Sequence, residues 1–252
     1  MKAPIAFFAL IGGICFVAQS ASGKSTPVVW SAAATISSDS DVSTSGTLVY
    51  AYNIGPAGTP ATTVNGVTFS SFEFPPDGTN DTVRVGDLEF SDAPEFLNSS
   101  SDFGSGGSPF TDLSANYQTL LGSGGHTSNP ATMIVWLYGL IPTQDYLVEI
   151  WVSNSAGKPL FLNTQASGST PVSLSSTSGD LGQFATGTFT AEYSTGAFLL
   201  TASGGSLPML NAVQLRAVPE PSTWLLLGLG FAASVAACLR RRNAQGLGLF
   251  AR

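Results

Sequence analysis

The sequence predicts an all-β body, an antiparallel β-sandwich or jelly roll with one short helix, set between two apolar terminal segments. Three observations carry this prediction. Between residues 24 and 217, Gly, Ser, Thr, Val and Phe abound while Lys, Arg and Glu are scarce, a composition that favours strands and turns over helices. Apolar and polar residues alternate in short runs separated by turn residues, the pattern of many half-buried strands. No repeat of fixed period runs through the chain, which argues against a propeller or solenoid.

The elements follow in order. Val28–Ile36 reads as a first strand, and Thr47–Asn53 follows a turn at Gly46. Val64–Phe74 contains Asn65-Gly66, a strong hairpin signal, and then alternating apolar residues. Thr82–Phe90 reads as another strand, with Val83 and Val85 on one face and Arg84 on the other. The Ser- and Gly-rich stretch Asn98–Pro109 reads as a loop. Asp112–Leu121 reads as the helix, because Leu113, Tyr117, Leu120 and Leu121 recur on one face. Thr111 or Asp112 can cap its start, and Gly122 can end it.

Ala131–Leu140 is almost wholly apolar and reads as a central strand buried on both faces, with Trp136 in the core. Pro142–Asp145 makes a turn. Tyr146–Val152 alternates: Tyr146, Val148, Ile150 and Val152 share one face, Glu149 and Trp151 the other. Leu160–Thr164, Val172–Ser175, Phe184–Ala191, Ala197–Ala202 and Met209–Leu215 complete the body.

Charge narrows the function classes. The body holds four basic residues, Lys24, Arg84, Lys158 and Arg216, against fifteen acidic ones, a difference of −11. Such a surface repels phosphate backbones, so nucleic acid is not an expected partner. The only two cysteines, Cys15 and Cys238, fall in the terminal segments. The body therefore has no disulfide, no thiol nucleophile and no cysteine-bound metal.

Residues 1–23 read as a secretory signal peptide: Met1-Lys2, an apolar core from Ala3 to Val17, then small residues to Gly23. The expected export route is the Sec translocon. Cleavage after Ser20, Ser22 or Gly23 fits the small-residue exit. Cys15 reads as part of the apolar core, because Ile14 before it fits a lipoprotein site poorly.

Residues 218–242 form the second terminal segment, and 243–252 a short Gly-rich tail. Val218-Pro219-Glu220-Pro221 should be extended, because two prolines fix φ and remove two donors. Trp224–Leu239 carries no charge; as a helix it spans about 24 Å, the short end for a membrane crossing. Trp224 suits one interface, and Arg240, Arg241 and Arg242 can reach back to the headgroups at the other. The arginines should stay cytoplasmic, which places Glu220 and the body across the inner membrane.

This three-part arrangement resembles the PEP-CTERM sorting signal of exopolysaccharide-producing Gram-negative bacteria. The matching residues are Val218–Pro221, the span Trp224–Leu239 and the triplet Arg240–Arg242. The resemblance implies recognition by an exosortase, an integral-membrane cysteine protease or transpeptidase, acting near Val218–Pro221. It also implies transient anchoring in the inner membrane and then a cell-surface or extracellular location. Such signals usually end soon after the basic cluster, whereas ten residues, Asn243–Arg252, follow here. Leu140–Asn154 resembles the central strands of galactose-binding-like β-sandwich modules. With Asp39–Thr44 and Asn211–Leu215 as landmarks, the body is also similar to uncharacterised domains of other PEP-CTERM proteins. Neither resemblance implies an activity.

The candidates for chemistry are few. His126 is the only histidine and lies in a Gly-rich stretch without a nucleophile-elbow motif, so it reads as an exposed loop residue rather than a catalytic base. Asp87 with Glu89, and Asp92 with Glu95, are acidic pairs without a glycosidase context. Asp39 and Asp41, among Ser37, Ser38, Ser40 and Ser43, could gather hard oxygens around Ca²⁺, or simply stabilise an acidic turn. Trp151, opposite the apolar face of its strand, could stack on a sugar ring. The expectation is a non-enzymatic surface or matrix protein without a resident cofactor, associated with polysaccharide. The alternatives are a carbohydrate-binding module, a polysaccharide hydrolase, or a permanently anchored protein.

Overall fold

A computed structural model describes residues 27–219, apart from 75–79, 92–96, 105–106, 129–131, 158–162, 178 and 203–205. The expected signal peptide, residues 1–23, and the expected span Trp224–Leu239 with Arg240–Arg242 lie outside the described residues. Among those described, no helix is long and apolar enough to cross a membrane.

The described chain is mostly strand. It runs through β1 (Val29–Trp30), β2 (Ala34–Thr35), β3 (Thr47–Gly55), β4 (Thr62–Val64), β5 (Val67–Glu73), β6 (Thr82–Val85), β7 (Leu88–Ser91) and β8 (Leu97–Ser100). The helix α1 (Ala115–Leu121) follows, then β9 (Gly124–Thr127), β10 (Thr132–Leu137), β11 (Asp145–Val152) and β12 (Asn163–Ser167). Last come β13 (Val172–Ser175), β14 (Gln183–Thr190), β15 (Gly196–Thr201), β16 (Met209–Leu210) and β17 (Ala212–Ala217).

The largest sheet has the order β1-β14-β11-β17-β3-β5-β4, with β2 also on β14. A second sheet runs β13-β12-β15-β10-β7-β6, and a small third one β16-β9-β8. The two large sheets share one apolar layer. Val148, Ile150, Val213 and Leu215 from the first meet Phe90, Val135, Phe198 and Leu200 from the second. Aromatic rings tie the sheets together edge to face: Phe72 on β5 lies 5.1 Å from Phe90 on β7, and Trp30 on β1 lies 5.3 Å from Phe198 on β15. Such pairs add to the stabilisation that area burial supplies.

A second apolar layer covers the other face of the largest sheet. Tyr117, Leu120 and Leu121 of α1 pack with Val64, Val67 and Phe69 of the β4–β5 hairpin over Ala51, Trp151 and Ala212. This layer makes the large sheet double-sided.

The structure revises several sequence expectations. Pairing is not wholly antiparallel, since β3 and β5 run parallel from Tyr52↔Ser70 to Gly55↔Glu73. Val28–Ile36 forms two short strands, not one, pairing at separate places along β14. Thr82–Phe90 is a hairpin, because Gly86 turns the chain at φ 57°. The helix starts later than expected: Leu113 is extended at ψ 158°. Ser114 caps the helix, its hydroxyl accepting from the Tyr117 N–H at 3.1 Å. Asn98, Ser99 and Ser100, inside the predicted loop, pair with β9 as part of β8. Strand β10 is buried on one face only, through Met133, Val135 and Leu137, while Trp136 is partly exposed on the other. Met209–Leu215 breaks at Asn211, which sends β16 and β17 into different sheets.

Candidate functional site

The predicted sorting segment begins at the end of β17. That strand occupies the middle of the largest sheet, paired with β11 on one side and β3 on the other. Its last residue, Ala217, lies opposite Tyr146 and Thr47. Val218 is still held: its N–H donates to the Asp145 carbonyl at 2.8 Å, and the Gln144 side-chain amide donates to its carbonyl at 2.5 Å. Pro219, the next residue, is exposed. The folded body thus passes into the Pro-Glu-Pro element without a linker. Glu220 and Pro221 lie outside the described residues.

A clamp secures this exit. Arg216 is only 6% exposed. Its guanidinium donates to three consecutive carbonyls: from Nη2 to Thr44 at 3.1 Å and Gly46 at 2.9 Å, and from Nε to Ser45 at 2.8 Å. Gly46 closes onto the strand at φ 79°, where a Cβ would stand 2.3 Å from the Ala217 carbonyl oxygen. Only glycine meets both demands there.

Behind the clamp lies a buried polar group. Glu149, 2% exposed, accepts from the Ser43 N–H at 3.1 Å, the Thr186 hydroxyl at 3.1 Å and the Gln214 side-chain amide. Burial pushes the Glu149 carboxyl above the ordinary carboxylate range, against the pull of those donors and of the Arg216 charge. Burial also lowers the Arg216 guanidinium, which Glu149 opposes. The arrangement satisfies a buried carboxylate by hydrogen bonding and fixes the loop before β3 to the exit strand.

Sequence reading did not single out Arg216, Gln144 or Gly46 for this role. A signal was available: Arg216 is one of only four cations in the body, and it stands two residues before Val218 of the motif.

The other sequence candidates are scattered. Trp151 is not a sugar platform: it is wholly buried. Its ring lies edge-on to Phe69 at 5.6 Å and stacks near Phe184 at 6.4 Å, and its Nε1–H donates to the Tyr117 hydroxyl at 3.1 Å. Trp151→Ala would therefore cost about 3–5 kcal/mol of stability rather than report on glycan binding.

His126 is not an exposed loop residue. It sits in β9, 7% exposed, with Nδ1 2.7 Å from the Thr127 carbonyl. Burial lowers its pKa, the hydrogen bond opposing. The neighbouring glycine admits the core: a Cβ on Gly125 would stand 1.6 Å from the Phe74 ring.

Asp39 and Asp41 lie in a 3-10 turn at Asp39–Asp41. Asp41 Oδ2 accepts from the N–H groups of Ser37 at 2.6 Å and Ser38 at 2.9 Å, and Oδ1 from the Ser37 hydroxyl at 2.9 Å. Asp39 accepts from the Ser114 hydroxyl at 2.6 Å, tying the turn to the cap of α1. These carboxylates order two turns against each other. Among the described residues, no group of three or more His, Cys, Asp or Glu side chains is placed to hold a metal ion.

Glu89 is engaged beside β10, accepting from the Tyr138 hydroxyl at 3.1 Å. The Arg84 guanidinium lies 3.8 Å over the Tyr138 ring. Trp136 completes this outer face, its Nε1–H donating to the Ser91 hydroxyl at 3.0 Å. Asp92 and Glu95 lie outside the described residues.

Residues 217–242 match the family model of the PEP-CTERM protein-sorting motif. The motif identifies an exported protein with a membrane-anchored signal sorted by an exosortase. No curated protein and no solved structure matches the chain.

Proposed function

We propose that this chain is a non-enzymatic surface or matrix component, delivered by its C-terminal signal and associated with exopolysaccharide outside the cell. In this reading the signal peptide, residues 1–23, exports the body through the Sec translocon. Trp224–Leu239 holds it in the inner membrane, with Arg240–Arg242 on the cytoplasmic side. An exosortase then acts near Val218–Pro221, leaving the body as a released or transferred domain. The supporting observation is the exit itself: the last hydrogen-bonded residue of the sheet is the first residue of the Pro-Glu-Pro element. Processing after this point removes the address and leaves every strand in place.

Intact-mass measurement of the protein from its native host tests this. The expected mass lacks Trp224–Arg252. Retention of that segment on all molecules would instead establish a permanent anchor. Ca²⁺ at Asp39 and Asp41 is compatible with the reading only as an addition to a turn that already uses its carboxylates internally.

One observation favours carbohydrate binding as a second reading. Trp136 on the outer face of β10 and Tyr138 just past its end stand beside Arg84 and Glu89, aromatic faces next to charged hydrogen-bonding groups, the mix that sugar recognition uses. A glycan array with the intact protein and Trp136→Ala separates the two readings. Binding that the variant loses favours a carbohydrate module; silence across diverse polysaccharides favours the structural role.

A further inference from the structure

Among the described residues, the large apolar side chains left exposed are Val29, Leu48, Val49, Ile141, Tyr193 and Leu199. All but Leu199 gather around the exit of β17. Pairing aligns Val29 with Thr188, Thr188 with Leu147, Leu147 with Arg216, and Arg216 with Leu48. That row crosses the sheet one residue before Ala217, and Val49 follows Leu48 at the bulge opposite Leu215 and Arg216. Ile141 and Tyr193 stand beyond the row, 65% and 48% exposed. Their loops are zipped together and onto the exit. The Thr143 N–H donates to Ala191 at 2.7 Å and the Leu140 N–H to Ser194 at 3.1 Å, while Gln144 holds Val218. An open groove of about 670 Å³ runs along the same end, lined by Pro27, Val29, Phe189 and Val218 together with Asp145 and Glu192.

The chain leaves this end on a short tether. Val218 is pinned, and only Pro219–Thr223 separate it from Trp224. Five residues reach at most about 18 Å when fully extended. The exit end must therefore face the membrane in which Trp224–Leu239 is anchored, and its apolar side chains come within reach of the headgroups.

We propose that, before processing, this end of the body rests on the extracytoplasmic lipid surface, with Ile141 and Tyr193 at headgroup depth. The proposal rests on the membrane-anchored reading above. An aliphatic side chain and a tyrosine are suited to that interface. Asp145 and Glu192 select the lipid: they repel anionic headgroups, so the surface that fits is zwitterionic. Seated this way, the body presents its exit strand to a membrane-embedded enzyme in one orientation.

The test uses the full chain in vesicles, with Cys15→Ser and Cys238→Ser to clear the native thiols. Single cysteines replace Ile141, Tyr193 or, at the opposite end of the sheet, Thr177, and each carries an environment-sensitive fluorophore. The probe is a phosphatidylcholine vesicle containing headgroup spin-labelled lipid. Quenching is expected at 141 and 193 and absent at 177, and it should weaken when phosphatidylglycerol replaces much of the phosphatidylcholine at low salt. Equal quenching at all three positions, or none, on a chain that floats with the vesicles overturns the proposal and leaves the anchor standing. A chain that does not float overturns the anchor, and the proposal falls with it.

Discussion

The two ends of β17 are both locked by a side chain that donates to backbone carbonyls, yet they are locked differently. At the leading end, Asn211 is wholly buried and uncharged. Its amide donates to Leu121 at 3.1 Å, Ser123 at 2.8 Å and Ser153 at 3.1 Å, and its Oδ1 accepts from the Ser153 N–H at 2.6 Å. It thus joins the end of α1, the approach to β9 and the end of β11. At the trailing end, Arg216 donates to Thr44, Ser45 and Gly46, one short stretch of chain. The leading end is a junction on which several segments depend; the trailing end is a local clamp. The clamp lies nearest the signal, and the junction lies at the far end of the same strand.

That contrast can be broken at either end. Asn211→Ala should have the largest effect. It leaves three carbonyls and one N–H without their partner in a dry site, a loss of roughly 3 kcal/mol or more. Urea unfolding should show a lower midpoint for the whole domain; an unchanged midpoint would remove the junction from this account. Arg216→Met keeps the apolar stem and deletes the clamp, for about 2 kcal/mol. Its signature is positional: hydrogen exchange should quicken at Val218 and Ala217 before it does at Ile150 or Val213. Uniform acceleration would mean that both ends belong to one cooperative unit.

The smallest effect concerns pH. The folded state holds the Glu149 carboxyl above its ordinary range. In the window between the ordinary value and the raised one, the folded state binds more protons than the unfolded chain. Stability from this group is therefore full below the window and is lost as pH rises through it. Glu149→Gln removes that slope. Midpoints measured for both proteins across this window should draw apart as pH changes, and parallel curves would show that Glu149 does not titrate differently on folding.

Much of the fold was legible because alternation and turn chemistry are local. Tyr146, Val148, Ile150 and Val152 face the shared core as their spacing requires. Asn65-Gly66 makes the turn between β4 and β5. What failed is what alternation cannot carry. It separates the two faces of β11 but does not say whether the second is covered, so Trp151 looked open when α1 and the β4–β5 hairpin close over it. Gly124 and Gly125 resembled loop residues, yet they are small because Phe103 and Phe74 press against them. Gly86 turned one apparent strand into a hairpin. The sorting motif was legible as a linear pattern, and the family match covers the same segment. The clamp behind it was not, since Arg216 meets Thr44–Gly46 across about 170 residues of sequence.

The strand that leads into the signal is also the keystone of the sheet, and this sets an order of events. β11 and β3 are not neighbours of each other; each pairs with β17. Until Ala212–Ala217 has emerged, both present an unsatisfied edge, and the large sheet stands in two halves. These residues are the last of the body to be synthesised. The large sheet therefore closes last, when the strand adjoining the signal pairs with both halves.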